Sequence, residues 1–234
     1  MNPRDDRSLL TQDALARTVG DLRVGDSPAF RIRALGRTDF TATWRAMQAF
    51  TADREADTPD EIWLTEHQPI YTLGLAGRHE HLRRANGIPV IRVDRGGQIT
   101  YHGPGQLVLY VLFDLRRAGL GVRDMVRRLE AAVVDWLAVR GITACGKPSA
   151  PGVYRMLDGR GAKIAALGLK VRRGCTYHGL AVNVAMDLAP FADIDPCGYP
   201  GLEVTQLADC GVAMSVEAAG SELAPMVAAH LTRR

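Results

Sequence analysis

Residues 95–106, RGGQITYHGPGQ, constrain the fold more than any other segment, because five of these twelve residues are glycine or proline. Glycine reaches backbone conformations that other residues avoid, and proline cannot donate to a strand ladder, so both ends of the segment are predicted turns. The residues between and after the turns, 98–101 and 106–115, have a strand-like composition. Hairpin turns between short strands, which are typical of an antiparallel sheet, account for this pattern.

The hairpin pattern does not explain why Gln98, Thr100, Tyr101 and His102 are packed between the turns. One polar face of the strand, directed into a pocket, would explain it.

Strand-like segments recur along the rest of the chain, at residues 29–35, 61–66, 70–73, 89–94, 152–157, 163–171 and 176–186. Apolar residues at helical spacing predict helices from Asp39 or Thr41 to about residue 56, over 123–140 and over 214–231, and a short helix at 203–209. This order predicts an α+β fold, with a mixed, largely antiparallel sheet and flanking helices. Residues 1–28 predict a loosely ordered N-terminal extension, and residues 29–234 a single domain.

The composition, 47% apolar and 24% charged over 234 residues, is that of a globular protein. It excludes a disordered chain, a collagen and a small disulfide-rich scaffold as the main class. The longest clear apolar run, residues 107–113, is far shorter than the roughly 20 residues of a membrane-spanning helix. Since the first 25 residues contain no apolar stretch of the secretory type, we expect a cytoplasmic protein whose four cysteines are free thiols.

Several catalytic motifs are missing from the sequence. No serine lies in a GxSxG motif, no GxxxxGK[ST] motif occurs, and the glycine-rich segment is not followed by a helical pattern. A serine-hydrolase elbow, a P-loop and a Rossmann fingerprint are therefore unsupported. His79, Glu80 and His81 have the chemistry of metal ligands, but no third ligand follows at a recognisable spacing, so no metal is expected.

Positive charge is concentrated in the middle of the chain. Residues 78–173 carry a net charge of +11 and the remaining residues −8, within a total of +3. A solvated basic face explains this distribution, and so does a docking surface for an acidic protein, a nucleic acid or an anionic membrane. Nucleic acid is the weaker candidate, because the sequence has neither an interleaved aromatic stripe nor a nucleic-acid-binding motif.

The segment KIAALGLKV, residues 163–171, places a lysine on an apolar strand face. At a period of two, Lys163 shares that face with Ala165 and Leu167, while Lys170 lies on the other. The chain has 26 arginines and only three lysines, and a lysine can lose its proton more readily than an arginine. A desolvated lysine is a usable base, whereas a lysine that reaches water from a strand end has no such role, and the spacing allows both.

Cys197 lies in a loop rich in proline and glycine, where it is poorly placed for core packing. A nearby cation, or the N-terminus of the helix predicted at 203–209, would favour its thiolate. A structural loop cysteine is the simpler interpretation of the sequence chemistry alone.

Taken together, these segments resemble the lipoyl(octanoyl) transferases, the octanoyl-acyl-carrier-protein:protein octanoyltransferases of lipoate biosynthesis. The resemblance covers roughly residues 60–210 and rests on HQPIYTLG at 67–74, RGGQITYHGPGQ at 95–106, KIAALGLKV at 163–171, TYHGLAVN at 176–183 and PCGYPGLEVTQL at 196–207. Several motifs in one order and spacing are far more specific than any single motif. The resemblance implies a fold like the catalytic domain of biotin and lipoate protein ligases, with no cofactor.

The resemblance also implies roles for individual residues. Cys197 matches the family's nucleophile, and Lys163 matches the lysine that activates it. The implied acyl-substrate site consists of Arg95, Gly96, Gly97, Gln98, Ile99, Thr100, Tyr101, His102, Ala166, Leu167, Gly168, Gly179, Leu180 and Ala181.

The implied reaction transfers an octanoyl group from octanoyl-acyl carrier protein to a lysine ε-amine, through a thioester on Cys197. The expected acceptors are the lipoyl domains of 2-oxoacid dehydrogenase complexes and the glycine cleavage H protein. We expect Lys163 to accept or hold the thiol proton, and to act again as base for the acceptor amine. Backbone amides of the glycine-rich segment are expected to stabilise the oxyanion, and Leu167 and its neighbours to hold the acyl chain.

Two other functions stay open at this point. An ATP-dependent lipoate-protein ligase of the same fold forms an acyl-adenylate and needs no cysteine nucleophile. A non-catalytic carrier or nucleic-acid-binding module would use the basic segment. For the transferase, either Arg83 and Arg84 or Arg116 and Arg117 are expected to dock the acidic carrier protein.

Overall fold

The polypeptide forms a large and a small β-sheet with α-helices on both faces of the large sheet. The computed structural model describes residues 18–22, 30–147, 150–157, 159–196 and 201–233. The strands within these residues are β1 (Thr18–Leu22), β2 (Phe30–Thr38), β3 (Glu61–His67), β4 (Ile70–Leu73), β5 (Val90–Arg92), β6 (Ile99–His102), β7 (Gln106–Leu112), β8 (Ala144–Gly146), β9 (Gly152–Leu157), β10 (Arg160–Arg172) and β11 (Cys175–Asn183). The helices are α1 (Phe40–Ala52), α2 (Leu115–Ala118), α3 (Val122–Ala138) and α4 (Val216–Thr232).

The large sheet has the order β1-β2-β3-β7-β11-β10-β9-β8, and the small sheet the order β5-β4-β6. The pairs β2–β3 and β4–β5 are parallel, and the other pairs are antiparallel. The predicted α+β class, with a mixed, largely antiparallel sheet and flanking helices, is therefore confirmed.

The two turns of the glycine-rich segment do not close hairpins, which corrects the prediction made from their composition. The turn at residues 95–97 carries the chain from β5 to β6, and these strands lie on opposite sides of β4. The turn at residues 103–105 carries it from β6 in the small sheet to β7 in the large sheet. Gly105 has φ +84°, and a Cβ there would lie 2.0 Å from the Ala185 carbonyl oxygen, so only glycine fits.

Helices cover both faces of the large sheet, so its central strands β7 and β11 are buried at every residue. Along β7, Leu107, Leu109 and Val111 pack into a core shared with α3 and α4. The alternate residues Val108, Tyr110 and Leu112 pack into a second core with Met47 of α1. The candidate site lies on this second face.

The helices begin where side chains satisfy their first backbone N–H groups. Asp39 caps α1 by accepting from the Ala42 N–H at 2.8 Å, as one of the two predicted caps, and Ser215 caps α4 by accepting from Ala218. Helix α3 buries Met125, Leu129, Ala132, Val133, Trp136 and Leu137, the side predicted from helical spacing. Among the helices of the described residues, none has the length and apolar character needed to cross a membrane.

The N-terminal segment differs in part from the expectation of a loosely ordered extension. Residues 18–22 form β1, which pairs with β2 at the edge of the large sheet. Residues 1–17 and 23–29 lie outside the described part of the chain.

Candidate active site

A cavity opens on the α1 side of the large sheet, between this sheet, the small sheet and the segment that follows β11. Its lining brings together residues far apart in sequence: Phe40, Arg95, Gly97, Gln98, Ile99, Thr100, His102, Val108, Tyr110, Lys163, Ala166, Leu167, Gly168, His178, Gly179, Leu180, Ala181, Asn183, Phe191, Pro196 and Val204. Twelve of the fourteen residues predicted to bind the acyl substrate are among them, and so is Lys163.

The cavity floor is built from small residues on neighbouring strands. Ala166 of β10 pairs with Ala181 of β11, and Gly168 pairs with Gly179. The single methyl groups of Ala166 and Ala181 leave room above the sheet for an apolar chain. The two glycines instead permit close approaches, of the Gly96 carbonyl to Gly168 and of the Leu109 carbonyl to Gly179. Leu167, which was expected to hold that chain, also borders the cavity but packs against the core beneath α3 and α4.

The wall formed by residues 95–102 is fastened by the side chain and backbone of its first residues. The buried Arg95 guanidinium donates to the carbonyl and hydroxyl oxygens of Thr72 at 2.7 and 2.8 Å. The Gly96 N–H donates to the Leu169 carbonyl at 2.8 Å, which brings the wall onto β10. A Cβ on Gly168 would lie 3.1 Å from the Gly96 carbonyl oxygen, so the small residue permits this close approach.

Two members of the predicted set, Gly96 and Tyr101, do not line the cavity. Gly96 acts through its backbone bond to β10. Tyr101 is buried in the core of the small sheet, where its ring packs against Tyr71 and Phe191.

Lys163 lies on the cavity face of β10, and not on the face predicted from a period of two. The pairing register with β9 shifts between Lys163 and Ala165, so Ile164 and Ala165 both pack into the core beneath α3 and α4. This irregularity puts Lys163 on the cavity lining together with Ala166. The side chain is only 4% exposed, which makes the alternative of a lysine reaching water from a strand end wrong.

The Lys163 amine contacts residues at and just before the start of β9. Its Nζ donates to the Pro151 carbonyl oxygen at 3.4 Å and lies 5.1 Å from the centroid of the Tyr154 ring. Both contacts suit a cation, one through a carbonyl dipole and the other through the ring face.

Cys197 and residues 198–200 lie outside the residues that the structure describes. Pro196, directly before Cys197, and Val204, seven residues after it, both line the cavity. The Lys163 N–H donates to the Glu203 carbonyl at 2.8 Å, and the Thr205 N–H donates to the Lys163 carbonyl at 2.9 Å. The chain after residue 200 is thus held against the backbone of Lys163.

The prediction of a helix at residues 203–209 is wrong. Val204 instead forms a parallel bridge with Lys163, and only Ala208–Cys210 forms a short 3₁₀ turn. A helix N-terminus at residue 203 therefore does not contribute to the electrostatics of the site.

A chain of buried polar side chains, of which only His102 was predicted as a site residue, runs along the cavity wall. His102 Nδ1 and Gln106 Oε1 are 2.7 Å apart, and Gln106 Nε2 donates to Asn183 Oδ1 at 2.9 Å. Asn183 Nδ2 donates to the Thr205 carbonyl at 3.0 Å. Burial lowers the pKa of His102 to about 3, so the ring is neutral and Nδ1 carries the donated proton. The signal in the sequence was weak: Gln106 and Asn183 are polar residues at the ends of apolar strands.

A second polar centre holds the start of the wall against α1 and β11. Asp94 accepts hydrogen bonds from Trp44 Nε1 at 2.9 Å, from His178 Nε2 at 3.0 Å and from the Tyr177 hydroxyl. Burial alone would raise the pKa of Asp94, but the hydrogen bonds from His178, Tyr177 and Trp44 hold it well below its usual range. His178 has φ +62°, which turns its side chain toward the same carboxylate as the neighbouring Tyr177.

The described residues contain no group of three His, Cys, Asp or Glu side chains arranged to hold a metal ion. His79, Glu80 and His81 form an outward-facing 3₁₀ turn of their own.

Comparison with known proteins places this geometry in a family. The sequence model described as "Lipoyl protein ligase A/B catalytic domain" matches residues 39–226. The chain belongs to this family. A curated relative from Thiobacillus denitrificans, named octanoyltransferase, is 61% identical over 199 residues, which cover 85% of this chain and 89% of the relative.

Solved structures agree with the lipoyl protein ligase fold. The structure titled as a putative lipoate protein ligase from T. acidophilum with bound lipoic acid has a TM-score of 0.66 at 19% identity, over 86% of this chain and 85% of that one. A biotin protein ligase from Aquifex aeolicus has a TM-score of 0.53 at 12% identity, over 86% and 69%. The expected likeness to biotin and lipoate protein ligases is therefore confirmed at the level of the fold.

Proposed function

We propose that the chain is an octanoyltransferase of protein lipoylation, which moves an octanoyl group from an acyl carrier protein to a lysine of a lipoyl domain through a thioester on Cys197. The name octanoyltransferase, shared by curated relatives at 54–61% identity, supports the acyl group and the reaction. The observation that carries the proposal is the buried Lys163 on the cavity wall, whose backbone binds Glu203 and Thr205, a few residues after Cys197 in the sequence.

In the first step, the Cys197 thiolate attacks the carbonyl carbon of the octanoyl thioester. The bond to the carrier's sulfur breaks, and that sulfur leaves with the electron pair. Lys163 accepts the thiol proton, or holds the thiolate by its positive charge. One thioester replaces another, so little driving force is lost on the enzyme.

In the second step, the ε-amine of the acceptor lysine attacks the enzyme thioester. The C–N bond forms, the C–S bond breaks, and the proton leaving the attacking nitrogen is accepted by a base, for which Lys163 is the proposed group. Amide formation from a thioester is downhill, so the reaction requires no ATP. Lipoyl domains of 2-oxoacid dehydrogenase complexes and the glycine cleavage H protein are the proposed acceptors.

The cavity floor supplies the binding surface for the acyl chain. Ala166 and Ala181, whose side chains are single methyl groups, leave space above β10 and β11, beside Val108 and Ile99. Burying an apolar chain there stabilises the complex by about 0.8 kcal/mol for each CH₂ group. The backbone amides of Gly97 and Gln98, two residues of the cavity lining, are proposed to stabilise the oxyanion of the thioester.

Incubation with octanoyl-carrier protein and no ATP tests the proposal. Intact-mass and peptide analysis should find an increase of about 126 Da on Cys197, which is the octanoyl group less the displaced thiol hydrogen. Cys197→Ser should abolish both the adduct and the transfer to a lipoyl domain, whereas Cys175→Ser, at a buried thiol of β11, should retain both.

Acylation at another residue, or undiminished transfer by the Cys197→Ser variant, would show that the proposed mechanism is wrong. Strict dependence on ATP, with free octanoate or lipoate as the donor, would instead identify a ligase. Salt-sensitive DNA binding without acyl transfer would identify a non-catalytic module.

A further inference from the structure

Two of the three lysines of the chain approach the same tyrosine ring. Lys147 Nζ lies 4.3 Å, and Lys163 Nζ 5.1 Å, from the centroid of the Tyr154 ring. The two amines are therefore separated by no more than the sum of these distances, 9.4 Å. Tyr154 is fully buried, and its hydroxyl donates to the Ala150 carbonyl at 3.0 Å, which fixes the position of the ring.

A carboxylate approaches Lys163 from helix α3. Glu130 Oε1 accepts the Gly152 N–H at 2.8 Å. Gly152 in turn lies against the lysine, because a Cβ built on it would be 3.3 Å from Lys163 Cε and 3.4 Å from Nζ. Glu130 is half-buried; burial raises its pKa, while the Gly152 hydrogen bond and the positive charge of Lys163 lower it.

Lys163 thus has a positive and a negative neighbour, neither of which lines the cavity. Within the described residues, the titratable groups near Lys163 include Glu130 on α3, Lys147 after β8, Tyr154 on β9, and Glu203, whose backbone carbonyl accepts the Lys163 N–H. Charges separated by no more than about 9 Å in a partly buried region interact strongly enough to move a titration by about half to one pH unit.

We propose that Lys147 and Glu130 set the charge state of Lys163 in opposite directions, Lys147 disfavouring its ammonium form and Glu130 favouring it. The proposal rests on the transferase function proposed above, in which Lys163 must exchange or hold a proton beside the thiol. A neighbouring cation is a known way of making a lysine a better base. Lys147 and Glu130 are positioning residues, because they act on the reacting groups only through Lys163.

The test is the pH profile for formation of the acyl-enzyme, followed by mass spectrometry with an octanoyl thioester donor. Removing a nearby positive charge makes every adjacent group hold its proton to higher pH, whether that group is Lys163 or the thiol. Lys147→Met should therefore move the profile up by about half to one pH unit. Glu130→Gln, which keeps an oxygen for the Gly152 N–H, should move it down by a similar amount.

Two controls separate this effect from a structural one. Lys147→Arg keeps the charge and should leave the profile close to that of the wild type. Lys170→Met removes the same charge seven residues further along β10, about 20 Å away, and should move the profile much less than Lys147→Met.

Shifts in the same direction for Lys147→Met and Glu130→Gln, no shift in either, or an equal shift in Lys147→Arg, would overturn the proposal. The wild-type experiment separates this result from a failure of the transferase function. If the wild type forms no acyl-enzyme at any pH, the function itself is wrong; if it forms one and the variants do not shift, only the charge-setting role is wrong.

Discussion

Gln106 donates its side-chain amide to Asn183 Oδ1 at 2.9 Å and so joins β7 to β11 inside the cavity wall. The Asn183 side-chain amide in turn donates to the Thr205 carbonyl, and the Thr205 N–H donates to the Lys163 carbonyl. The three side chains of Gln106, Asn183 and Thr205 are buried. A single amide therefore helps to hold residues 203–205 against the strand that carries Lys163.

Asn183→Leu should impair catalysis more than its effect on folding explains. The change leaves the Thr205 carbonyl without its side-chain donor in a buried site, which costs about 1–3 kcal/mol of unfolding free energy. Because the segment after residue 200 then loses a tie to Lys163, we expect kcat to fall at least tenfold, with a smaller change in the KM of the octanoyl donor. Urea unfolding and steady-state kinetics at a temperature where the variant is folded measure the two effects.

Thr176→Val is the matched control, since Thr176 is buried on the same strand and donates to the Val111 carbonyl at 2.8 Å, away from Lys163. It should lose stability and keep kcat. An equal loss of kcat in both folded variants would show that Asn183 has only a structural role.

Ala181→Leu should change the acyl chain length that the enzyme accepts. Ala181 pairs with Ala166 and Val108 in the middle of the cavity floor, so a leucine there fills the space above the sheet. We expect the rate with an octanoyl thioester to fall at least tenfold relative to a butyryl thioester, measured by competition between the two donors. Ala162→Leu lies on β10 outside the cavity lining and should leave the ratio unchanged. A uniform loss for both chain lengths in Ala181→Leu would contradict this role.

The sequence was sufficient for elements whose periodicity is local. The apolar spacing of α3 and the short runs of β4 and β9 depend on residues within one turn or one strand, so their patterns were readable directly. The pairing of strands depends on residues far apart in sequence and could not be predicted in this way. Nothing in residues 95–106 indicates that β6 pairs with β4 and β7 with β3 and β11, because those contacts are made with distant residues.

In the candidate site, too, local patterns did not show the contacts between residues distant in sequence. A period of two assigned Lys163 to the core face, and a single irregularity between Lys163 and Ala165 reversed this, since an extra residue in one strand changes the face of every residue before it. The Gln106–Asn183 bond and the Lys147–Tyr154–Lys163 arrangement join strands far apart in sequence, so no spacing rule could show them.

Lowering the pH should destabilise the protein in a way that depends on His102. Burial lowers its pKa to about 3, against about 6.5 for an unfolded histidine, so below pH 6.5 the unfolded state binds a proton that the folded state does not. The stability that His102 contributes is therefore fully present above pH 6.5 and is lost as the pH falls toward 3. From pH 7 to pH 5 the loss is about 2 kcal/mol.

Urea unfolding at pH 7 and pH 5 checks this prediction. The difference between the two pH values should be about 2 kcal/mol smaller in His102→Asn than in the wild type. His79→Asn, at an exposed histidine of the 3₁₀ turn, should keep the wild-type difference. An unchanged pH dependence in His102→Asn would mean that His102 is not held neutral in the folded state.

The basic pair Arg83 and Arg84 should contribute to docking of the carrier protein, and the pair Arg116 and Arg117 should not. Arg83 lies 3.7 Å from Asp195 and Arg84 2.8 Å from Asp193, in the segment that leads directly to Pro196 of the cavity lining. Both side chains are more than half exposed, at 56% and 76%, so each can meet a further acidic group. Arg116 and Arg117 lie on helix α2. Arg117 forms an ion pair with Asp60 at 2.7 Å and Arg116 with Asp114, and neither aspartate lines the cavity.

Neutralising both residues, Arg83→Gln with Arg84→Gln, should raise the KM for octanoyl-carrier protein several-fold and leave the KM for a small octanoyl thioester nearly unchanged. The attraction acts between exposed charges, so the difference between variant and wild type should shrink as salt increases. The double substitution of Arg116 and Arg117 by glutamine is the matched control. An equal rise in KM for both donors would mean that the Arg83–Arg84 surface supports the cavity and does not dock the carrier, because only a docking defect depends on the protein part of the donor.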